Sequence, residues 1–277
     1  RLAGARIVLD IHDLMPEFMA ARTGRSLRSP LVRLVALQER ISAAFAQNVI
    51  TVTATWRRVL AERGTPLRKS SVVMNLADPR HFRPCPPHAP HPDRFRLVYH
   101  GTLTPRYGLD VAIRAVAGLR AEIPEIELLI HGQGPDRDRL AALVADLGVG
   151  DAVRIQETVL PVEELATMLC DADVGLVPYR RDVFTDGILP TKLLEYMAIG
   201  LPTIASRTPA IDAHADPAAV ELFTPDDPED LARAIRRLHD PSVRAALAAG
   251  TAQMRERFDW TRQADAYAAT MEELAAR

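Results

Sequence analysis

Asp186-Gly-Ile-Leu-Pro-Thr-Lys-Leu-Leu-Glu-Tyr-Met-Ala-Ile-Gly-Leu-Pro-Thr-Ile-Ala-Ser206 is the stretch that decides how this chain is read. Thr191 and Lys192 open a helix, where backbone N–H groups lack partners within the helix. The positive end of the helix dipole adds to them, and together they favour a phosphate. Glu195 lies about one turn further in, close enough to that end to hydrogen-bond a ribose. Gly200-Leu-Pro202 stops the helix, and residues 203–206 read as a short buried strand. An isolated helix Glu is ordinarily a solvated carboxylate. Here the flanking pattern assigns it to a site instead.

The stretch sits in a regular alternation of strands and helices, which predicts an α/β, doubly wound parallel sheet. Strands are expected over 96–100, 127–131, 153–156, 174–177 and 203–205. Helices are expected over 109–122, 136–147, 163–169, 192–199, 228–238 and 242–257. A second set lies upstream, with strands over 7–11, 48–52 and 71–74 and a short helix over 56–63. Between them, residues 30–47 carry Leu31, Leu34, Val35, Leu37, Ile41 and Phe45 at helical spacing. The two sets are joined by Arg83-Pro-Cys-Pro-Pro-His-Ala-Pro-His-Pro-Asp93, whose prolines exclude a helix or a central strand and predict a stiff linker. His88 and His91 in that linker have no third ligand and are not read as a metal site.

With 277 residues the chain has room for two domains. Its 34 basic and 36 acidic residues leave a net charge of -2. No basic run tracks a phosphate backbone, so nucleic acid is not an expected partner. Cys85 and Cys170 form neither a metal spacing nor a disulfide framework, which predicts a reducing, cytoplasmic setting. No apolar run reaches the length of a membrane span. The opening Arg1-Leu-Ala-Gly-Ala-Arg-Ile-Val-Leu-Asp10 has neither a signal peptide's apolar core nor a starting Met.

The Pro190-Thr-Lys-Leu-Leu-Glu-Tyr196 run resembles the Pro-Ser-Lys-Leu-Phe-Glu-Tyr variant found in bacterial family 4 glycosyltransferases, where it is the donor-site signature. That resemblance implies a GT-B fold, with two Rossmann-like domains facing a cleft. It implies a partial N-terminal, acceptor-side domain over 1–82 and the linker over 83–93. The nucleotide-sugar-binding domain then spans 94–257, and residues 258–277 form a helix crossing back to the first domain, with Trp260 as its packing anchor. Asn75-Leu-Ala-Asp78 with Phe82 and Pro84 is similar to the ending of the family's first half. That half ordinarily has further β/α units before its equivalent of strand 7–11. At about 30 residues per βαβ unit, about a hundred residues are expected to precede residue 1, making the sequence a fragment that alone transfers nothing.

The same resemblance supplies site residues. His100-Gly-Thr-Leu-Thr-Pro-Arg-Tyr-Gly108 is similar to the family's Gly-Arg-Leu-x-x-x-Lys-Gly loop, which grips the donor diphosphate. Thr102 stands at the Arg position and Tyr107 at the Lys position, so Arg106 and Lys192 are the expected cations and Gly101 the close approach. His131-Gly-Gln-Gly-Pro135 is similar to the Gly-x-Gly-Pro loop, with Gly132 and Gly134 letting the backbone approach the nucleotide. Glu157 and Thr158 fall where the family borders the nucleobase, through backbone contacts. Asp186, Leu189, Pro190, Thr191 and Glu195 complete the donor site. The family's usual first glutamate falls eight positions before Glu195, where this chain has Gly187, and Asp186 beside it is the candidate stand-in. Asp10-Ile-His-Asp13 is similar to the strand-end segment facing the donor sugar, which makes His12 and Asp13 the candidates to meet the hexose. Arg180 and Arg181 match nothing in the pattern. Asp171-Ala-Asp173 precedes an apolar strand and is read as a helix-to-strand connection rather than a metal site.

The activity implied is retaining transfer of a hexose from a UDP-, GDP- or ADP-sugar to a glycan, lipid or small-molecule acceptor. The nucleotide sugar is the co-substrate, and neither a cofactor nor a metal is expected. A lipid-linked acceptor would place the protein at the inner face of a membrane, with contact through the region before residue 1. A non-catalytic nucleotide-sugar-binding module and a GT-B-fold epimerase are the alternatives. An NAD oxidoreductase is disfavoured, because Gly132 and Gly134 lack the third glycine of that fingerprint.

Overall fold

The computed structural model describes residues 5–86 and 93–276. His88 and His91 lie outside the described residues. The chain divides into two compact units, one of Arg1–Asn75, Asp182–Leu189 and Asp259–Arg277, the other of Leu76–Arg181 and Pro190–Phe258.

The first unit carries a three-stranded parallel sheet in the order β1-β2-β3, formed by Val8–Ile11, Asn48–Thr51 and Ser70–Val72. Helices α1 (Met15–Thr23) and α2 (Pro30–Phe45) connect the first two strands, and α3 (Ala54–Glu62) precedes the third. α1 escapes the periodicity rule because its packing is partly ionic. Glu17 is buried against Arg63, which also reaches Glu39 at 2.9 Å. α2 forms where the spacing predicts it, capped by Ser29. Its apolar stripe does not pack inward, however. Leu34, Leu37, Ile41 and Phe45 are each at least half exposed, and Val32 and Ala43 are the residues buried.

The second unit is built on six parallel strands in the order β6-β5-β4-β7-β8-β9. These are β4 (Phe95–His100), β5 (Ile126–His131), β6 (Val153–Gln156), β7 (Val174–Val177), β8 (Thr203–Ser206) and β9 (Val220–Phe223). Helices α4 (Leu109–Leu119), α5 (Arg137–Asp146), α6 (Val162–Cys170), α7 (Thr191–Ile199), α8 (Pro209–His214), α9 (Pro228–Leu238) and α10 (Pro241–Arg257) alternate with them. The strands are nearly continuous apolar runs, as a sheet covered on both faces requires. The order reverses between β4 and β7, the place where open α/β sheets hold ligands beyond the strand ends. β9 went unseen in the sequence because Glu221 interrupts its apolar pattern. The structure buries that carboxylate against Arg233 at 2.9 Å and against Arg237.

The last helix, α11 (Trp260–Ala276), belongs to the first unit, and Gln263 Oε1 accepts the Met74 N–H at 3.0 Å. Trp260 is not a buried anchor: it is 46% exposed, and no residue of α11 is buried.

The cysteines correct the sequence reading. Cys85 and Cys170 are joined in a disulfide. The backbone N–H of Cys85 donates to Ile199 O at 2.8 Å, which holds the proline-flanked segment against the second unit. Cys85 thereby meets the end of α6 with the two Cα atoms 5.5 Å apart, within bonding reach. A separation of 85 residues gives no spacing signal. Closing a loop of that length constrains the unfolded chain, so reduction should lower stability by about 2–4 kcal/mol. The urea midpoint should fall on adding dithiothreitol, and denatured, unreduced protein should show no free thiol. Equal midpoints with and without reductant would contradict the pairing.

Candidate functional site

α7 begins at Thr191 with Pro190 at its N-cap, which supplies no side-chain cap. The N–H groups of Leu193 and Leu194 donate to Pro190 O at 3.1 and 3.5 Å, while those of Thr191 and Lys192 precede the first helical bond. Gly200, at φ 81°, ends the helix with a left-handed cap. Lys192, Leu193, Leu194, Tyr196, Met197 and Ile199 are buried, so the helix is fixed on nearly all sides.

Glu195 is held by a relay of two rings. Its Oε2 accepts from His100 Nε2 at 2.6 Å, while His100 Nδ1 lies 3.0 Å from the Tyr196 hydroxyl. That hydroxyl is also 3.3 Å from Val98 O, and burial keeps it protonated by raising its pKa well above the ordinary value. His100 and Tyr196 meet edge to face at 5.2 Å. Glu195 Oε1 has no hydrogen-bond partner among the described residues, which leaves one fixed acceptor for a hydroxyl. His131 faces His100 across the β4–β5 ladder. Burial, aided by the charge of His100, pushes its pKa below the ordinary value, and its Nδ1 is buried without a partner.

Lys192 is only 7% exposed, and among the described residues no carboxylate pairs with it. Its ammonium donates to Tyr179 Oη at 2.8 Å. It sits over three rings, 4.8 Å from the centroid of Tyr99 and 4.7 Å from those of Tyr107 and Tyr179. Gly101 lies against it: a Cβ there would be 3.4 Å from Nζ. Burial pushes the amine down to a pKa of about 7, opposed by the charge of Glu195.

The surrounding loops show what the small residues are for. A Cβ at Gly132 would sit 1.9 Å from Gly101 O, and one at Gly134 would sit 2.2 Å from Leu103 O. These glycines therefore let two strand-end loops pack on each other. The N–H groups of Gly101 and Leu103 donate across to His131 O and Gln133 O at 2.9 and 2.8 Å. Thr102 is exposed, and its carbonyl accepts from Tyr99 Oη at 2.8 Å. Arg106 lies in a single 3-10 turn, Pro105–Tyr107. Arg180 holds that turn: its N–H donates to Arg106 O at 2.9 Å, and its guanidinium reaches Pro105 O at 3.0 Å and Asp110 at 2.6 Å. Glu157 pairs with Arg137 at 2.6 Å, its carbonyl accepts from Gln133 Nε2 at 2.8 Å, and Thr158 is exposed. Asp171 binds Arg94 at 2.8 Å and also Arg96, while Asp173 accepts the Arg96 N–H at 2.8 Å. Both aspartates thus tie the start of β4 to the start of β7.

The other candidates belong to the first unit. His12 is exposed beyond β1, with Nε2 3.2 Å from Asp10, and Asp13 follows it. Asp186 and Gly187 form a 3-10 turn, Thr185–Gly187, and Leu189 is buried. Phe184 anchors this segment, with Phe18 at 5.2 Å and Trp56 stacked at 6.4 Å. Trp56 also explains Gly187. A Cβ at that position would lie 2.1 Å from the indole ring, so no side chain fits where the family carries its first glutamate. Sequence reasoning missed Tyr99, His100, Tyr179 and Tyr196, which surround Lys192 and Glu195. The one local signal was a Tyr-His pair closing the Phe95–His100 strand.

The family profile described as "Glycosyl transferases group 1" matches residues 94–240. D-inositol 3-phosphate glycosyltransferase of Streptosporangium roseum is 33% identical over 197 residues, covering 66% of this chain and 44% of that protein. Its counterpart in Thermobispora bispora is 30% identical over 267 residues, covering 88% of this chain and 60% of that protein. The chain thus spans about half the length of the curated relatives it matches. HepE of Anabaena, solved with UDP, superposes with a TM-score of 0.78 at 17% identity, covering 98% of this chain and 73% of that one. Sucrose-phosphate synthase of Thermosynechococcus elongatus gives 0.78 at 23% identity, covering 97% and 68%. The fold is of the GT-B class. The chain belongs to the group 1 glycosyl transferases, the family 4 expected from its α7 signature.

The Trp56 contact makes a direct test of Gly187 possible. Gly187→Glu restores the family's residue type but drives it into the indole. It should cost about 1–3 kcal/mol of stability, read from urea or thermal unfolding. A variant as stable as the parent would show that Trp56 does not fill that space.

Proposed function

We propose that this chain carries the donor site of a retaining glycosyltransferase, which moves a hexose from a nucleotide sugar to a glycan, lipid or small-molecule acceptor. The observation that carries this reading is the opening turn of α7. A carboxylate oriented by His100, a buried amine and uncapped N–H groups lie within four residues of one another. Together they offer a hydroxyl acceptor and an anion receptor at a spacing that suits a ribose joined to a diphosphate.

Departure of a nucleoside diphosphate from the anomeric carbon builds charge on its leaving oxygens. Preorganised donors aimed at those oxygens stabilise that charge. Lys192 and the N–H groups of Thr191 and Lys192 take this role, with Arg106 of the Gly101–Gly108 loop as a further cation. Glu195 holds the ribose, and His12 and Asp13 are assigned to the hexose side. The leaving phosphate takes the acceptor's proton, so transfer occurs on one face without a protein nucleophile. The relatives support a nucleotide-sugar donor in kind. HepE was solved with UDP-glucose, and a mannosyltransferase of Mycolicibacterium smegmatis, 37% identical over 121 residues, is GDP-mannose-dependent by name. No described helix is long and apolar enough to cross a membrane. Attachment at an inner membrane face, for a lipid-linked acceptor, is part of this proposal.

A second reading rests on a specific observation. Trp56 fills the space of the family's first carboxylate, and Thr102 and Tyr107 replace its loop cations. This favours a module that binds a nucleotide sugar without transferring it.

The readings separate on turnover. Glu195→Ala should raise the donor KM by about 10- to 100-fold, through loss of a charge-assisted hydrogen bond. Lys192→Ala should lower kcat by about 100-fold or more. Donor hydrolysis and transfer assays, with UDP- and GDP-sugars, measure both. In the full-length protein, full turnover in either variant overturns the assignment, and binding without turnover in the unsubstituted form favours the module.

A further inference from the structure

The three rings around Lys192 are drawn from separate parts of the chain. Tyr99 is on β4, Tyr107 is on the 3-10 turn before α4, and Tyr179 follows β7. Tyr107 and Tyr179 stack at 4.4 Å with their planes 24° apart, so each braces the other. Tyr107 also stands where the family ordinarily has a lysine, so a cation of the loop is replaced by a wall of the cage.

The cage is short of acceptors. An ammonium carries three N–H donors, and among the described residues Tyr179 Oη is the one hydrogen-bond acceptor it meets. Ring faces offset part of its burial but leave two donors without an oxygen. The charged groups nearby do not supply one. Glu195, on the same helix, acts through its charge but is engaged by His100. On α6, Glu163 pairs with His81 at 3.1 Å, and Glu164 also lies in that helix's first turn. On α10, Arg255 reaches Met197 O, at the far end of α7. β7 and β8 carry no charged residue. Burial raises the Tyr99 and Tyr179 hydroxyls well above their ordinary pKa, so they stay neutral.

We propose that Tyr99, Tyr107 and Tyr179 are positioning residues that keep the Lys192 amine from water, so that an anionic nucleoside-diphosphate donor binds together with one proton, taken from solvent onto Nζ. This rests on the donor-site reading above and adds to it a linkage set by the aromatic cage. In the free protein the amine is close to its own midpoint at neutral pH, because burial disfavours the charge. The diphosphate supplies the missing oxygens and the opposite charge, which raises the amine's pKa in the complex. Binding is then strongest below the free-state midpoint and weakens about tenfold per pH unit above it, until the pKa of the complex is reached.

Calorimetric titration of the protein with UDP-glucose, and separately with GDP-mannose and ADP-glucose, tests this. Phosphate and Tris buffers, which differ in ionisation enthalpy, report the protons taken up. A nucleotide sugar is a phosphodiester without a group titrating between about pH 6 and 8.5, so uptake reports the protein. The result expected is uptake close to one proton at about pH 8, and affinity at least about 10-fold lower at pH 8.5 than at pH 6. Tyr107→Ala opens the cage to water and should move the pH dependence toward a free lysine, leaving little uptake at pH 8. Tyr107→Phe keeps the ring and should keep the uptake. Heats independent of buffer, with affinity level across this range in the parent, would overturn the linkage while leaving the donor site standing. An equal profile in Tyr107→Ala and the parent would overturn the cage's role. Absence of binding by UDP-glucose, GDP-mannose and ADP-glucose alike would overturn both the linkage and the donor-site reading.

Discussion

A lysine buried in the first turn of a helix, without a carboxylate in contact, is the constraint on which the rest of this site depends. Removing an ammonium from water costs several kcal/mol unless oxygens or ring faces replace its hydration. Lys192 receives three tyrosine faces and one hydroxyl. Much of the surrounding architecture serves that arrangement. β4 and β7 adjoin at the reversal of strand order and deliver Tyr99 and Tyr179. Arg180 fixes the turn that carries Tyr107, and the loops of Gly132 and Gly134 lock the Gly101 segment lying against the amine. On the next turn Glu195 is held by His100, whose other ring nitrogen meets the Tyr196 hydroxyl. α7 thus presents an amine and a carboxylate that are both oriented before any ligand arrives, as preorganised binding requires.

The departures from the family pattern have physical explanations in the packing. The absent first glutamate is a steric matter, because Trp56 occupies the volume that a side chain at residue 187 would need. The absent loop lysine is a matter of cage building, because Tyr107 stacks on Tyr179. Both changes remove charge, and both put an aromatic ring in its place. The proposed donor site, with fewer cations, would rely more heavily on Lys192 and on the backbone donors of α7.

α7 was legible in the sequence because punctuation marks both ends: Pro190 before it, and Gly200 and Pro202 after it. The parallel sheet was legible for a similar reason, since its strands are apolar runs between turn residues. Side-chain partnerships across long separations were not. Residues 99, 107 and 179 share no spacing, so nothing local joins the cage, and the Cys85–Cys170 bond was hidden by the same kind of distance. Gly132 and Gly134 were recognisable as close-approach positions, and the structure shows a neighbouring loop approaching them. In α2 the apolar period correctly marked a helix, yet periodicity carries no information on what covers a face, and Leu34 and Phe45 are exposed. Charged residues inside an element misled in the opposite sense: Glu17 and Glu221 made α1 and β9 look unlike core structure until their arginine partners were in place.

Whether the opening turn of α7 is a nucleotide-sugar donor site is read out by a thermal-shift panel of UDP-, GDP- and ADP-sugars. A ligand that binds the native state alone raises apparent stability by an amount set by its concentration over Kd, about 2.7 kcal/mol at a hundredfold excess. One nucleotide class should raise the Tm in a concentration-dependent way, and the shift should be lost in Glu195→Ala. No shift with any of the three classes, or a shift unchanged in that variant, would contradict the donor-site reading.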